Sequence, residues 1–453
     1  MAIGGMTHRK FTLLVLLASV FTVVVSTTVL VVSLPTIAAD LGSTVSIVSW
    51  TITAPMLSFG VLGPALGKAG DLWGHRRVFV GGLLLSGAFS FASAFSWGPI
   101  SLIIFRTLAA GFGAASSPSA MAYINRMFDA DERVRPLSYW SFTTASSPVI
   151  GVILGVPLME AVGWRAIFLI QGPLCILAAA ISWKSLFETE RKSDSRFDLQ
   201  GSVCLGTGSI LLLVVINRGS SWGWFSPVIA ALLIVAIGSL ALFVRVERSS
   251  SNPLMPMSWM KTRNIVAPIL TLAMLNYAYM GSFMLIPQML EGGLGFTTQA
   301  VGWLVITRPV AFSLVAPMGS RLVARFGTRG SGMLGGQTMV AAMLMLAAVR
   351  QSDDLGLIIT GLALTGIGLA IAGPALVSVM SSAVPESDMG VASALMQLAS
   401  QLGSVMGGAL MIAIHESALG LGKMESYGVA ISSGAVVAVA AIGVAGLVRN
   451  RSN

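Results

Sequence analysis

Two arginines interrupt long apolar stretches of this sequence, where a charged side chain is unusual. Arg106 lies in the run 99–121, and Arg308 lies beside a proline in the run 299–319. A charged side chain at the centre of a bilayer costs about 2.5–3.5 kcal/mol on insertion scales, so it should face other helices or a cavity and not lipid. Each arginine is therefore a candidate for coupling or for a substrate cavity. The structural alternative is a guanidinium bound by backbone carbonyl groups.

Apart from Glu160 at the last residue of the run 139–160, the apolar runs contain no carboxylate, so none lies inside a run to neutralise these two charges. The acids nearest to the runs, such as Asp40 and Glu416, stand at their rims. The polar side chains that could line a cavity with the arginines are uncharged, and the candidates are Ser26, Asn276, Tyr279 and Gln397. A cavity lined by uncompensated positive charge would favour neutral or anionic ligands over cations.

A short charged loop follows the second apolar run and reads GKAGDLWGHRR over residues 67–77. Its candidate gating residues are Gly67, Asp71, Gly74, Arg76 and Arg77. Glycines permit a tight turn, and an acid can hold a neighbouring helix end or a basic residue in one state and release it in another. The alternative is a solvated charged loop that only sets membrane orientation.

The fifth run contains Pro148 and Gly151, a pair that favours a bend in a helix. Proline removes one helix hydrogen bond, and glycine lets a partner helix approach closely. We expect this bend to act as a conformational pivot, the alternative being a proline that is merely tolerated.

The sequence lacks the residue sets of an enzyme, a metal site or a nucleotide site. The three histidines, His8, His75 and His415, are far apart and have no metal-ligand spacing. No Walker loop is present, so ATP does not drive the protein. We therefore predict no catalytic residues, no metal and no cofactor.

The elements that position these residues follow from composition. Of the 453 residues, 55% are hydrophobic and 10% are charged, against about 25% charged in average soluble chains. So few charges cannot coat a globule of this size, which makes a lipid bilayer the expected environment. The net charge of +9 reflects basic residues at membrane edges, so nucleic acid is not an expected partner.

Fourteen apolar runs are long enough to cross a bilayer, which takes about 20 residues. They lie at 11–34, 46–66, 78–96, 99–121, 139–160, 165–184, 199–217, 226–245, 264–289, 299–319, 331–349, 355–379, 390–414 and 428–448. Backbone polar groups in lipid need partners within their own segment, and the runs do not alternate in polarity as barrel strands do. The sequence thus predicts an all-α polytopic membrane protein.

The basic residues support this count and give an orientation. With both termini cytoplasmic, 21 of the 27 Lys and Arg residues fall in inside segments, four fall outside and two lie within spans. Inside loops of membrane proteins carry such an excess.

An internal repeat divides the chain. Pro64 is followed ten residues later by Gly74, and Pro317 is followed ten residues later by Gly327, each after the second span of a six-span set. Repeated halves are how many secondary transporters are built. We therefore predict a six-helix bundle in 1–190, two inserted transmembrane helices in 191–250 and a second six-helix bundle in 251–453.

The loop GKAGDLWGHRR resembles the signature loop of the major facilitator superfamily. Four further stretches resemble its fourteen-span drug:H⁺ antiporter branch, namely GWRAIFLIQGP at 163–173, FDLQGS at 197–202, RGSSWGW at 218–224 and FVRVERSSSNPLMP at 243–256. The span-5 segment SPVIGV at 147–152 matches the antiporter motif at Pro148 and Gly151. The resemblance implies a major facilitator fold of six, two and six helices and a multidrug efflux function by alternating access.

The span-1 segment STTVLVVSLP departs from the branch, which usually has Asp where Ser26 stands. In span 4, Arg106 matches the family's arginine, but the usual Gln is Ala109. The resemblance implies export of small amphipathic molecules across the plasma membrane with coupling to protons. The missing span-1 acid favours instead a facilitator or uptake carrier for a neutral or anionic solute. A membrane enzyme is a third alternative and would need a catalytic set that the sequence lacks.

Overall fold

The structure is a computed structural model and describes residues 8–48, 50–129, 132–189, 199–249, 257–385 and 388–449. Within these ranges the chain is helical and contains no strand. Apolar runs of this length satisfy their own backbone hydrogen bonds only as helices.

The N-terminal half, residues 8–189, contains nine helices that follow one another through short turns. They are α1 (His8–Val24), α2 (Thr27–Asp40), α3 (Val45–Val48), α4 (Trp50–Trp73), α5 (His75–Ser93), α6 (Pro99–Gly113), α7 (Ser116–Met127), α8 (Val134–Val162) and α9 (Arg165–Ser185).

Two helices form a hairpin between the halves, and six more build the C-terminal half, residues 257–449. The hairpin is α10 (Leu199–Trp222) and α11 (Pro227–Ser249). The C-terminal half contains α12 (Arg263–Gln288), α13 (Thr298–Val315), α14 (Gly319–Ala347), α15 (Leu355–Ala383), α16 (Met389–Ser417) and α17 (Lys423–Ala445).

Every predicted span overlaps one of these helices, with two interruptions that the apolar pattern does not indicate. The first span is divided at Val25 and Ser26, and the fourth is divided at Ala114 and Ala115. Among the described residues, nine helices are long and apolar enough to cross a membrane by length and composition. Fourteen crossings therefore remain a prediction.

The turn of the internal repeat has the same backbone geometry in both halves. Gly74 precedes α5 with φ 94°, and Gly327 kinks α14 with φ 69°. Both values are unfavourable for other residues, which explains glycine at both places. The predicted spans 299–319 and 331–349 leave 320–330 between them as a loop, whereas α14 runs through these residues on both sides of the kink.

The two ends of the bundle differ in how the halves meet. We call them the Asp71 end and the Asp40 end, after Asp71 in the last turn of α4 and Asp40 at the last residue of α2. Near the Asp71 end, Asn125 of α7 donates a hydrogen bond to Ser381 of α15 at 3.3 Å, and Gly319 of α14 packs on Ser138 of α8. The halves are thus closed against each other at this end.

At the Asp40 end, the polar contacts among the described residues lie within single halves. Arg165 donates to Asp40 at 2.5 Å inside the N-terminal half, and Ser426 and His415 hydrogen-bond at 2.9 Å inside the C-terminal half. The Arg165 guanidinium, followed by the Trp164 indole, lowers the pKa of the Asp40 carboxyl.

The α10–α11 hairpin lies along the seam between the halves. α10 packs against α4 and α16, while α11 packs mainly on α10. A small apolar core joins Val61, Leu205, Phe243 and Leu398 from all three parts of the chain. The hairpin therefore contacts both halves at once.

Candidate transport site

The interruption of the first span creates a polar centre in the N-terminal half. A Cβ at Gly151 would clash with the carbonyl oxygen of Val25, so α8 approaches this break as closely as glycine allows. Gln171 of α9 donates through Nε2 to the carbonyl oxygens of Thr22 (3.0 Å) and Val23 (3.4 Å). The last carbonyl groups of a helix have no partner within it, and Gln171 supplies one.

Arg106 of α6 reaches this break from the opposite side. Its Nη1 donates a hydrogen bond to the Ser26 hydroxyl at 3.3 Å, although 80 residues separate the two. Its guanidinium lies 5.2 Å from the centroid of the Phe168 ring. Two site residues that the sequence identified separately are therefore in contact, and both are buried.

The Arg106 charge has no carboxylate partner in the described part of the chain. No acid lies within 4 Å of its guanidinium, and its Nε has no hydrogen-bond partner there. A buried charge without a counter-charge is costly. Ser26 supplies only a neutral acceptor.

Arg308 of α13 is the second buried guanidinium, and it lies in the C-terminal half. It stacks 3.4 Å from the centroid of the Tyr279 ring, 5.4 Å from that of Phe283, and donates through Nη2 to the Tyr279 carbonyl oxygen. Its Nε and Nη1 have no hydrogen-bond partner among the described residues. Arg308 is 0% exposed, so in this conformation it lies against α12 and not on an open cavity wall.

The uncharged cavity candidates are spread over two helices. Asn276 and Tyr279 lie on α12 with partly exposed side chains, and Asn276 donates to the carbonyl of Leu272 one turn earlier. Gln397 is half-buried on α16, the helix that packs against both α4 and α12. Tyr279 meets Arg308, whereas Asn276 and Gln397 are near neither arginine in the contacts described. Pro148 belongs to α8, but its side chain is outside the described part of the structure.

Asp71 forms a buried hydrogen-bonded chain with two residues that the sequence did not single out. Its Oδ1 accepts from His75 Nε2 at 2.9 Å, and His75 Nδ1 lies 3.3 Å from the Ser119 hydroxyl. Because a carboxylate only accepts, this pattern makes Nε2 the donor and lets Nδ1 accept from Ser119. The chain connects α4, α5 and α7 at the Asp71 end.

Burial raises the pKa of the Asp71 carboxyl, which lies five residues beyond the predicted span. The hydrogen bond and charge of His75 act in the opposite direction. Among weaker influences, Asp388 at the start of α16 raises this pKa and Arg126 of α7 lowers it. Asp71 therefore responds to charges on both halves of the molecule.

Other residues of the signature loop contact the end of α9 and the segment that follows it. A Cβ at Gly74 would clash with the Glu188 carboxylate, and the buried Gly67 lies on α4 one turn before Asp71. Arg76 stacks on the Trp183 ring at 4.3 Å and donates to its carbonyl, while Arg77 Nε lies 3.7 Å from Glu188 Oε2. In the contacts described, Arg76 and Arg77 thus bind residues of the N-terminal half.

His75 and Gln171 could have been found in the sequence by one signal. Each is a side chain that can hydrogen-bond in two directions, and Gln171 stands inside an apolar run. Their spacing to Asp71 and to the break could not be read from the sequence without the helix packing.

The geometry defines a helical membrane protein with two similar halves, closed at one end, with buried polar groups in each half. A model of the Major Facilitator Superfamily matches residues 16–407 and 268–453. The chain belongs to this superfamily. It is therefore a multi-pass membrane transporter of small molecules and not an enzyme.

Curated relatives match most of the chain. It is 25% identical over 419 residues to the tetracenomycin C resistance and export protein of Streptomyces glaucescens, covering 92% of this chain and 78% of the relative. It is 28% identical over 423 residues to the puromycin resistance protein pur8 of Streptomyces alboniger, covering 91% and 82%.

A solved structure supports the fold. The human organic anion transporter MFSD10 superposes with a TM-score of 0.69 at 14% identity, covering 97% of this chain and all of that one. At this identity the likeness concerns the fold alone.

Proposed function

We propose that this protein exports small amphipathic molecules from the cell in exchange for protons, by alternating access between its two halves. Relatives named for antibiotic resistance and export support the direction and the substrate class. The observation that carries the proposal is the closure of the halves at the Asp71 end, which is the geometry of one of two alternating states.

The proposal includes fourteen spans in a six, two and six arrangement, with both termini and the Asp71 end in the cytoplasm. The bundles are 1–190 and 251–453, and 191–250 contains the inserted pair. The distribution of basic residues supports this orientation. The described conformation is then closed towards the cytoplasm of the plasma membrane.

Proton coupling needs a group that titrates and that also affects the closed state. Asp71 and His75 are a buried acid–base pair at the end where the halves meet. Removing the Asp71 charge would change its interaction with Asp388 across the seam. This pair supports coupling in a chain whose first span has Ser26 in place of an acid.

The experiment is drug accumulation in cells that express the protein, with tetracenomycin C and puromycin as probes. Expression should lower the internal drug level, and a protonophore should restore it. The inactive control is Asp71→Asn at equal membrane abundance. An internal level that rises on expression would instead indicate uptake.

The second candidate is a facilitator or uptake carrier for a neutral or anionic solute. The absence of a described carboxylate near Arg106 and Arg308 favours it. Such a carrier would equilibrate its solute in either direction and would be insensitive to the protonophore, so the same assay separates the two candidates.

A further inference from the structure

The Ser26–Arg106 centre combines three features that favour a bound anion. Arg106 is 94% buried and its Nε is unpartnered among the described residues. Its Nη1 points at Ser26, the N-cap of the fourteen-residue helix α2. The start of a helix presents unpaired N–H groups and a partial positive charge.

The start of α2 has no side-chain cap. The Ser26 hydroxyl accepts from Arg106 instead. Gln171 Nε2 is occupied by carbonyl oxygens of α1. Among the described polar atoms at this place, Arg106 Nε is a donor without a hydrogen-bond partner and Gln171 Oε1 is an acceptor without one.

Electrostatics also favour a bound anion at this centre. A guanidinium and a helix N-terminus both attract negative charge. The described ion pairs of the N-terminal half, Asp71–His75, Arg77–Glu188 and Asp40–Arg165, lie at the two ends of the bundle. No acid of the described residues reaches Arg106 within 4 Å.

We propose that the Ser26–Arg106 centre is a binding site for one monovalent anion, a halide or a carboxylate. The anion would accept hydrogen bonds from Arg106 and the Ser26 hydroxyl and would face the start of α2. A free chloride ion and the carboxylate of a substrate share this chemistry. The proposal concerns binding and stands apart from the direction of transport.

The test is thermal unfolding of the purified protein at constant ionic strength, with sulfate, a divalent anion outside the proposed class, replaced by chloride or by benzoate. Either probe should raise the unfolding midpoint by roughly a few °C when its concentration is many times its dissociation constant. A shift with chloride identifies a free inorganic ion. A shift with benzoate alone identifies a carboxylate, and competition between the two identifies one shared site.

Three variants locate the site. Ser26→Asp places an internal carboxylate beside Arg106 and should abolish the anion-dependent shift. Ser26→Ala removes one hydrogen bond and should raise the apparent dissociation constant roughly 3- to 10-fold. Arg165→Gln, a matched arginine at the exposed rim, should keep the full shift.

Two results would overturn the proposal. One is an equal midpoint in sulfate, chloride and benzoate. The other is an anion dissociation constant that is unchanged in Ser26→Ala. This second variant keeps the proposal testable if Ser26→Asp does not fold. Loss of drug export with intact anion binding would reject the proposed function and leave this site standing.

Discussion

Replacing Asp71 by Asn removes one buried negative charge and changes almost nothing in shape. Asp71 is 3% exposed, and its Oδ1 is 2.9 Å from His75 Nε2. Asn can keep a neutral hydrogen bond to the same nitrogen through its carbonyl oxygen. We expect folded protein to reach the membrane and transport to be lost.

The magnitude follows from the type of hydrogen bond. A hydrogen bond to a charged group contributes about 1.5–3 kcal/mol and a neutral one about 0.5–1.5 kcal/mol. The difference, about 1–2 kcal/mol, shifts the equilibrium between two conformations roughly 5- to 30-fold. No discount for solvent screening applies, because both side chains are buried.

The repeat offers no second copy of this contact. The counterpart of Asp71 in the C-terminal half is Ala324. Starting from equal populations, a shift of this size at this single latch, the Asp71–His75 contact, leaves the less favoured of the two alternating states at about 3–17%. Because both states must be visited in each cycle, transport should be largely lost.

The assay is drug efflux at matched membrane abundance, with thermal unfolding as the measure of folding. Arg77→Gln is the control, because the Arg77–Glu188 pair is partly exposed and its two groups are 3.7 Å apart. Exposed pairs contribute little, so this variant should retain most of its transport. Near-normal efflux by Asp71→Asn would refute the latch and reduce the loop to a determinant of orientation.

Three more outcomes are expected. Permanently cationic dyes should be poor substrates, and Ser26→Asp should gain some cation transport; robust efflux of quaternary ammonium compounds by the unmodified protein would contradict this selectivity. Single cysteines at either terminus or in the loop 185–198, part of which lies outside the described residues, should resist an impermeant thiol reagent in intact cells, and labelling from outside would disprove the orientation. A Cβ at Gly151 meets a backbone carbonyl, so Gly151→Val should reduce the free energy of unfolding by about 1–3 kcal/mol and lower the unfolding midpoint. Gly81→Ala, with open space around its Cβ, should leave the midpoint unchanged. Equal midpoints in the two variants would argue against the close approach of α8.

The sequence alone was sufficient for the positions of the helices. Each apolar run must satisfy its backbone within itself, so length and composition indicate a helix wherever the run occurs. The signature loop was recognised by its resemblance to that of the family, and the structure gives Gly74 and Gly327 positive φ angles that glycine adopts easily. These are local properties, and a local pattern determines them.

The partners of the buried polar groups were decided by tertiary structure. The sequence pointed to Ser26 and Arg106 separately, and only the packing of α6 beside the break brings them to 3.3 Å. It pointed to Arg308 as a cavity residue, whereas the rotation of α13 turns the guanidinium onto Tyr279. The break itself, held by Gln171 and by the approach of Gly151, lies inside an unbroken apolar run. Hydrophobicity places a helix in the membrane, but the rotation of each helix about its axis depends on side chains from several other helices, and that information is spread over the whole chain.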